Sequence, residues 1–280
     1  MMYTLGSSSA IFAANLSALG IAVNYCGCIG NDDFGKKIVT DLEAKGVSTG
    51  NIILSKTAAT GITVVLNLQQ NRAMVTYAGA MNELAGEDVT DEMLMNAKHL
   101  HVSSMFIQPS LKPGLAKLFQ RAKILGLTTS LDPQWDPSDQ WQADWENLLP
   151  GVDVFLPNRE ELKNITKKSS ITESINVIKD FAHIIVVKNS VEGARAFYKD
   201  DVIEQAAFTN PEFFDAIGAG DSFDAGFIKQ FIQARPLKEC TELGAVCGAI
   251  NTTSYGGTTA FINIEAIKKI AWEKFNYTIQ

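Results

Sequence analysis

The chain has 280 residues, 46% of them hydrophobic and 20% charged, with a formal net charge of -7 at pH 7. That length and apolar content suit one sizeable α/β domain with a large core. The acidic balance gains nothing from counterion release on nucleic acid and gives no hold on an anionic membrane surface. No apolar run reaches membrane-spanning length, so neither nucleic acid nor a membrane is an expected partner. A local cradle of backbone N–H groups can still bind phosphate inside an acidic protein. The four cysteines (Cys26, Cys28, Cys240, Cys247) form no C-x-x-C pair, and there are only three histidines. That excludes the usual zinc arrangements and fits reduced, buried thiols in a cytoplasmic protein.

Taken in chain order, residues 10–23 are apolar but lack a basic flank and are interrupted by Asn15 and Gly20, which argues against a signal peptide. A strand is expected around Val23 to Cys26. Residues 61–68 and 72–77, separated by Gln69, Gln70 and Asn71, read as a β-hairpin, within a segment of about 60–78. Such a hairpin inside an α/β protein is either a small lid over the main sheet or an ordinary edge hairpin. From about residue 98 the pattern alternates. Strands are expected at 99–103, 128–132, 152–156 and 183–187, with helices at 113–125 and 171–181 between them. This alternation predicts a parallel sheet covered on both faces. The expected strands end in polar residues: Ser103 and Ser104, Asp132, Asn158 and Lys188. Open α/β sheets bind ligands at that edge.

The sharpest signal runs from Asp215 to Gly226, where Gly218-Ala219-Gly220 precedes Asp221. Phe223, Phe227 and Phe231 recur every four residues and predict a helix. The glycine turn therefore sits at a helix N-terminus, where free N–H donors and the dipole favour an anion. Phosphoryl transfer needs such a cradle, and a carboxylate beside it could take the proton of an attacking hydroxyl. Without further context Asp221 reads first as a helix cap, Asn158 and Glu161 as a cap and first-turn acid, and Lys188 and Gly193 can be read as a strand-end lysine and a turn glycine. No Walker A or G-x-G-x-x-G string occurs.

The segment 215–226 resembles the C-terminal signature of the ribokinase-like (PfkB) carbohydrate kinases, D-T-x-G-A-G-D-x-F-x-x-G, with Ala216 and Ile217 where threonines are common. Four further stretches resemble that family's motifs in the same order. They are 6–20 (its glycine-rich signature), 30–35 (G-x-D-x-x-G), 158–161 (N-x-x-E) and 188–193 (the nucleotide-side glycine turn). The resemblance implies a single three-layer α/β/α sandwich over 1–280, with a mainly parallel central sheet and a small β lid. It implies an ATP- and Mg2+-dependent kinase that phosphorylates a hydroxyl of a sugar or sugar-like molecule. Asp221 would be the base, and Gly218, Ala219 and Gly220 the anion hole. Asn158, Glu161, Lys188, Ser190 and Gly193 would serve ATP and Mg2+, while Gly6, Ser7, Ser104 and Asp221 would meet the acceptor. Asp215, Ile217, Asn251, Ser254 and Gly256 would match a K+ site found in some members. Many members form homodimers through their lids.

The first signature begins at Gly6. The opening strand, part of the lid and the substrate-gripping aspartate that members carry before it are thus expected to be missing, leaving sheet edges exposed. Ser7, Ile11 and Ser190 replace a glycine, an asparagine and a glycine common in the family, and Ile11-Phe12 suggests a pocket unlike that of ribokinase itself. Trp135 and Trp141 are expected to be structural. Two alternatives stay open: a nucleoside kinase of the same fold, with Tyr77 or Phe106 stacking on a base, and a non-catalytic ligand-binding relative.

Overall fold

A computed structural model describes residues 3–68 and 71–279. The chain opens with α1 (Ser8–Ala18), β1 (Asn24–Ile29), α2 (Asp33–Ala44) and β2 (Ser48–Leu54). The hairpin strands β3 (Ile62–Leu68) and β4 (Asn71–Tyr77) follow, then α3 (Asp91–Met95). The alternating part comprises β5 (His99–Ser103), α4 (Leu115–Ile124), β6 (Thr128–Asp132), α5 (Trp145–Leu148), β7 (Val154–Phe155), α6 (Arg159–Thr166), α7 (Ile171–Ile178) and β8 (Ile184–Lys188). It is followed by β9 (Ala194–Tyr198), β10 (Asp201–Gln205), α8 (Ala219–Ile232), α9 (Leu237–Asn251) and α10 (Ile264–Phe275).

Six strands form the main sheet in the order β10-β9-β8-β7-β6-β5. β5 to β8 run parallel, while β9 and β10 are antiparallel additions at one edge. Residues of one strand divide between two cores. Ile185 and Val187 join Leu118, Phe119, Leu162 and Ile178 on one side. Val186 joins Phe227, Leu243 and Val246 on the other. Alternation of side chains along a strand buried on both faces produces this split, and it makes the three layers of the expected sandwich. The parallel pair β1–β2 is not hydrogen-bonded to the main sheet among the described residues. A cavity of about 2330 Å³ runs between the two sheets and on to the carboxyl ends of the main strands; Cys26, Gly27, His99 and Leu100 line its far end.

The expected strands at 99–103 and 128–132 match β5 and β6 residue for residue. The run 152–156 pairs only over Val154–Phe155, because Pro157 and the cap of α6 take over the chain beyond it. The helix expected at 113–125 begins at Leu115, after a tight turn over Lys112–Gly114. Thr63 and Thr76 face each other across the hairpin with hydroxyls 3.0 Å apart, and Gln69 and Gln70 of its turn lie outside the described residues. The hairpin's base is pinned by the 30–35 motif. Asp32 caps α2 by accepting from the Gly35 N–H, and the same carboxylate accepts from the Thr60 N–H and hydroxyl. Those three donors pull the Asp32 carboxyl below its usual range. Among the described residues no helix is long and apolar enough to cross a membrane.

Candidate active site

The polar ends of β5, β6 and β8 meet the N-terminus of α8. Gly218 is the N-cap of α8, with φ 77° in the left-handed region that favours glycine. A Cβ there would come within 2.7 Å of the Gly257 Cα and 3.0 Å of Ile11 Cγ2. The turn is thus wedged between α1 and the loop after α9. Asn15 and Asn251 both donate to the Gly257 carbonyl, at 2.9 Å each, and hold that wedge in place. Ala219 donates its N–H to Ala216 O at 3.2 Å. Of the three expected anion-hole amides, Gly218 and Gly220 are left without an acceptor among the described residues. Two free N–H groups at the start of a 14-residue helix make an anion cradle.

Asp221 is the third residue of α8 and 7% exposed. Its Oδ1 accepts from the Ser8 hydroxyl and from Gln134 Nε2, the latter at 3.1 Å. Burial pushes its pKa up to about 6 despite those two donors, with the Asp132 charge adding to the rise. A carboxylate poised near neutrality is suited to taking a proton.

Below the cradle lies a buried ionic cluster. Lys188, at the end of β8, places Nζ 2.8 Å from Asp132 Oδ2 and 3.0 Å from both oxygens of Asp224. Both carboxylates are 1% exposed at their side chains. Burial disfavours the Lys188 charge, but Asp132 and Asp224 more than compensate and hold it firmly protonated. Asp132, although buried, is drawn below its usual range chiefly by Lys188, whereas burial pushes Asp224 well up. A Cβ on Gly220 would lie 3.7 Å from Lys188 Nζ, so the ammonium sits against the floor of the cradle.

Asn158 and Glu161 form a reciprocal capping box on α6. Asn158 Oδ1 accepts from the Glu161 N–H at 2.9 Å, and Glu161 Oε2 accepts from the Asn158 N–H at 2.8 Å. Asn158 also bridges to Lys188 across the strand ends. Glu161 is 4% exposed, and burial together with the Asp132 charge raises its pKa to about 8. Ser190 and Gly193 form the tight turn between β8 and β9, with φ 51° and 91°. A Cβ on Gly193 would fall 1.9 Å from Gln205 O, so only glycine fits there.

Gly6, Ser7 and Ser104 all border the cavity, Ser7 and Ser104 with positive φ of 66° and 59°. Asp215 turns one oxygen to the Ile217 N–H at 2.6 Å and the other to the Gly256 N–H at 3.1 Å. Its carboxylate therefore ties the loop before α8 to the loop after α9. The Asn251 side-chain oxygen is buried with no partner among the described residues, and Ser254 N–H donates to the Asn251 carbonyl. Ile11 and Phe12 are spent largely on packing: Ile11 against Gly218 and Gly257, Phe12 stacked on His101 at 3.8 Å. Phe106 is packed edge-on to Trp141 and Trp145, whereas Tyr77 is 55% exposed. Trp141 is buried as expected, but Trp135 is 53% exposed and lines the cavity.

Ser8, Asp132, Gln134 and Asp224 were not singled out as site residues by the sequence reading. Asp224 was legible in principle, since it lies three residues after Asp221 and so on the same helix face. Gln134 was not, because its position depends on a left-handed backbone (φ 59°) right after Pro133.

An α/β/α sandwich with a carboxylate beside an amide cradle at the ends of its parallel strands is the architecture of a phosphotransferase. The chain belongs to the pfkB family of carbohydrate kinases, whose model matches residues 9–264. It is 27% identical over 243 residues to an uncharacterized sugar kinase of Archaeoglobus fulgidus, spanning 86% of this chain and 95% of that one. It is 27% identical over 277 residues to an ATP-dependent ribose-1-phosphate kinase of Halopiger xanaduensis, spanning 97% and 88%. In structure it is similar to the adenosine kinase of Sinorhizobium meliloti, with a TM-score of 0.83 at 23% identity, covering 92% of this chain and 81% of that one.

Proposed function

We propose that the protein transfers the γ-phosphoryl group of ATP to a hydroxyl of a sugar or sugar phosphate, with Asp221 as general base. The observation that carries this reading is the buried, near-neutral carboxylate of Asp221 one residue beyond the free Gly220 N–H. The acceptor hydroxyl would hydrogen-bond to Asp221, and its proton would pass to the carboxylate as the oxygen attacks phosphorus. Charge on the transferring oxygens would be met by the Gly218 and Gly220 amides and the α8 dipole, fixed in place before reaction. The ATP-dependent ribose-1-phosphate kinase among the relatives supports ATP as donor.

Four carboxylates (Asp132, Glu161, Asp221, Asp224) face a single ammonium in the cluster, and Glu161 is left with its pKa raised to about 8. Such a deficit of positive charge fits Mg2+ carried in with ATP. Asn158 and Glu161 would hold it through water, their capping box engaging Asn158 Oδ1 and Glu161 Oε2 and leaving Glu161 Oε1 outside it. Bound there, Mg2+ would neutralise phosphate charge. The Ser190–Gly193 turn lines the cavity and would border the nucleotide there. Asp215 and the loop containing Asn251, Ser254 and Gly256 are the candidates for a K+ site, which would act by stiffening the cradle they already brace. The hairpin of β3 and β4 would close over the acceptor as a lid, and its exposed Val64, Leu66 and Met74 suit a homodimer contact.

An ATP-consumption screen over sugars, sugar phosphates and nucleosides tests the reading. Turnover with a sugar-type acceptor supports it, turnover confined to nucleosides selects the nucleoside kinase, and none with any acceptor favours a binding role.

A further inference from the structure

Both donors that reach Asp221 bind the same oxygen. The Ser8 hydroxyl and Gln134 Nε2 converge on Oδ1, while Oδ2 has no hydrogen bond among the described residues. A carboxylate held in this way presents one defined oxygen to the cavity. The Gln134 amide is itself positioned. Its Nε2 donates to Asp132 Oδ2 at 2.8 Å as well as to Asp221, and its backbone N–H donates to Asp132 Oδ1 at 3.3 Å. A left-handed glutamine following a proline is an uncommon conformation, sustained only where its surroundings fix it. Asp132 in turn is held by Lys188, whose ammonium also grips Asp224 one helical turn beyond Asp221.

We propose that Lys188, Asp132 and Gln134 form a positioning relay that fixes the Asp221 carboxylate and selects Oδ2 as the oxygen that takes the acceptor's proton. Lys188 is then a positioning residue acting through Asp132 and Asp224. The relay rests on the kinase reading for its purpose, although its geometry does not. Without the Lys188 charge, Asp132 and Asp224 would repel each other and Asp221, and the amide of Gln134 would lose its anchor. The ionisable groups facing Asp221 are Asp132 from β6, Lys188 from β8, Glu161 from α6 and Asp224 on α8; α1 contributes only the Ser8 hydroxyl.

The test uses the full chain with Gln134→Leu and Lys188→Met, and two readouts. In steady-state assays, Gln134→Leu is expected to lower kcat about tenfold with the KM for ATP nearly unchanged. The acidic limb of its kcat profile should move to higher pH by about half a unit or more, because the lost amide favoured the ionised base. Separately, a carbon-13 titration of the Asp221 carboxyl, assigned by its absence in Asp221→Asn, should show the same upward shift in ligand-free protein. Lys188→Met should shift it the same way; should that variant not fold, the Gln134 variant decides the matter. An unmoved carboxyl midpoint and an unchanged kcat in Gln134→Leu would overturn the relay. A shifted midpoint in a protein whose wild type turns over no acceptor would uphold the positioning of the Asp221 carboxylate but refute the kinase reading and, with it, the role of Oδ2 in taking a proton.

Discussion

Replacing Lys188 by methionine removes the only cation among the described residues within hydrogen-bond distance of Asp132 and Asp224, whose side chains are 1% exposed. Methionine fills similar space, so the loss is electrostatic and not a cavity effect. Breaking a buried pair by deleting one partner costs about 3–5 kcal/mol, because the remaining charge is left uncompensated. Asp224, already raised by burial, can take up a proton and relieve part of this, which places the expectation at the lower end, about 3 kcal/mol. In a chain of this size that is roughly 6–12 °C in Tm. The pH dependence follows with a definite sign. Asp132 is lowered in the fold, so its contribution is present at neutral pH and is lost as pH falls through its folded value. The gap between wild type and variant should therefore be full from pH 7 down to about 4, the ordinary carboxylate range that Asp132 lies beneath, and narrow only as pH falls further. Asp224→Asn placed on the Lys188→Met background should recover part of the loss. The assay is urea unfolding followed by circular dichroism across that pH range. A loss below about 1 kcal/mol at pH 7 would refute the claim that this ion cluster is desolvated, and so would a gap that does not change with pH.

Gly218→Ala puts a Cβ at φ 77° and 2.7 Å from Gly257, so it should destabilise by about 1–2 kcal/mol or more and displace the amide cradle. Turnover should fall about a hundredfold or more while circular dichroism shows the fold retained. The raised pKa of Asp221, about 6, predicts that kcat/KM for the acceptor declines below that pH with unit slope, which a pH profile at saturating ATP will show. Glu161, raised to about 8, binds more protons folded than unfolded between its usual value and that pH. It makes the ligand-free protein lose stability as pH rises through this window, and Glu161→Gln should flatten that slope in thermal melts.

The fold was legible because its signals are local and repeated. β5 and β6 were recovered to the residue from apolar runs ending in Ser103 and Asp132, and α8 from the four-residue spacing of its phenylalanines. The boundaries that slipped are those set by neighbours. β7 stops at Phe155 because Pro157 and the Asn158 cap claim the next residues, and the start of α4 is delayed by the turn around Pro113. The separation of β1–β2 from the main sheet is a pairing fact that no single strand's pattern reports. At the site, Asp221 and the glycine turn were visible as a contiguous string. The cluster beneath them was half visible: Lys188 and Asp132 stood out as strand ends, but what they do depends on a contact across 56 residues. Composition gave no hint that Lys188 would be bound between two carboxylates, or that Asp132 would hold the lysine and the glutamine that frame the base.

The most direct test of the account is turnover by Asp221→Asn, measured beside ATP binding by calorimetry. Asparagine keeps the side chain's shape and can still meet Ser8, so the account predicts a loss of phosphoryl transfer of at least about a hundredfold with ATP affinity nearly unchanged. Transfer at close to the wild-type rate would show that proton removal does not pass through residue 221, and would contradict it.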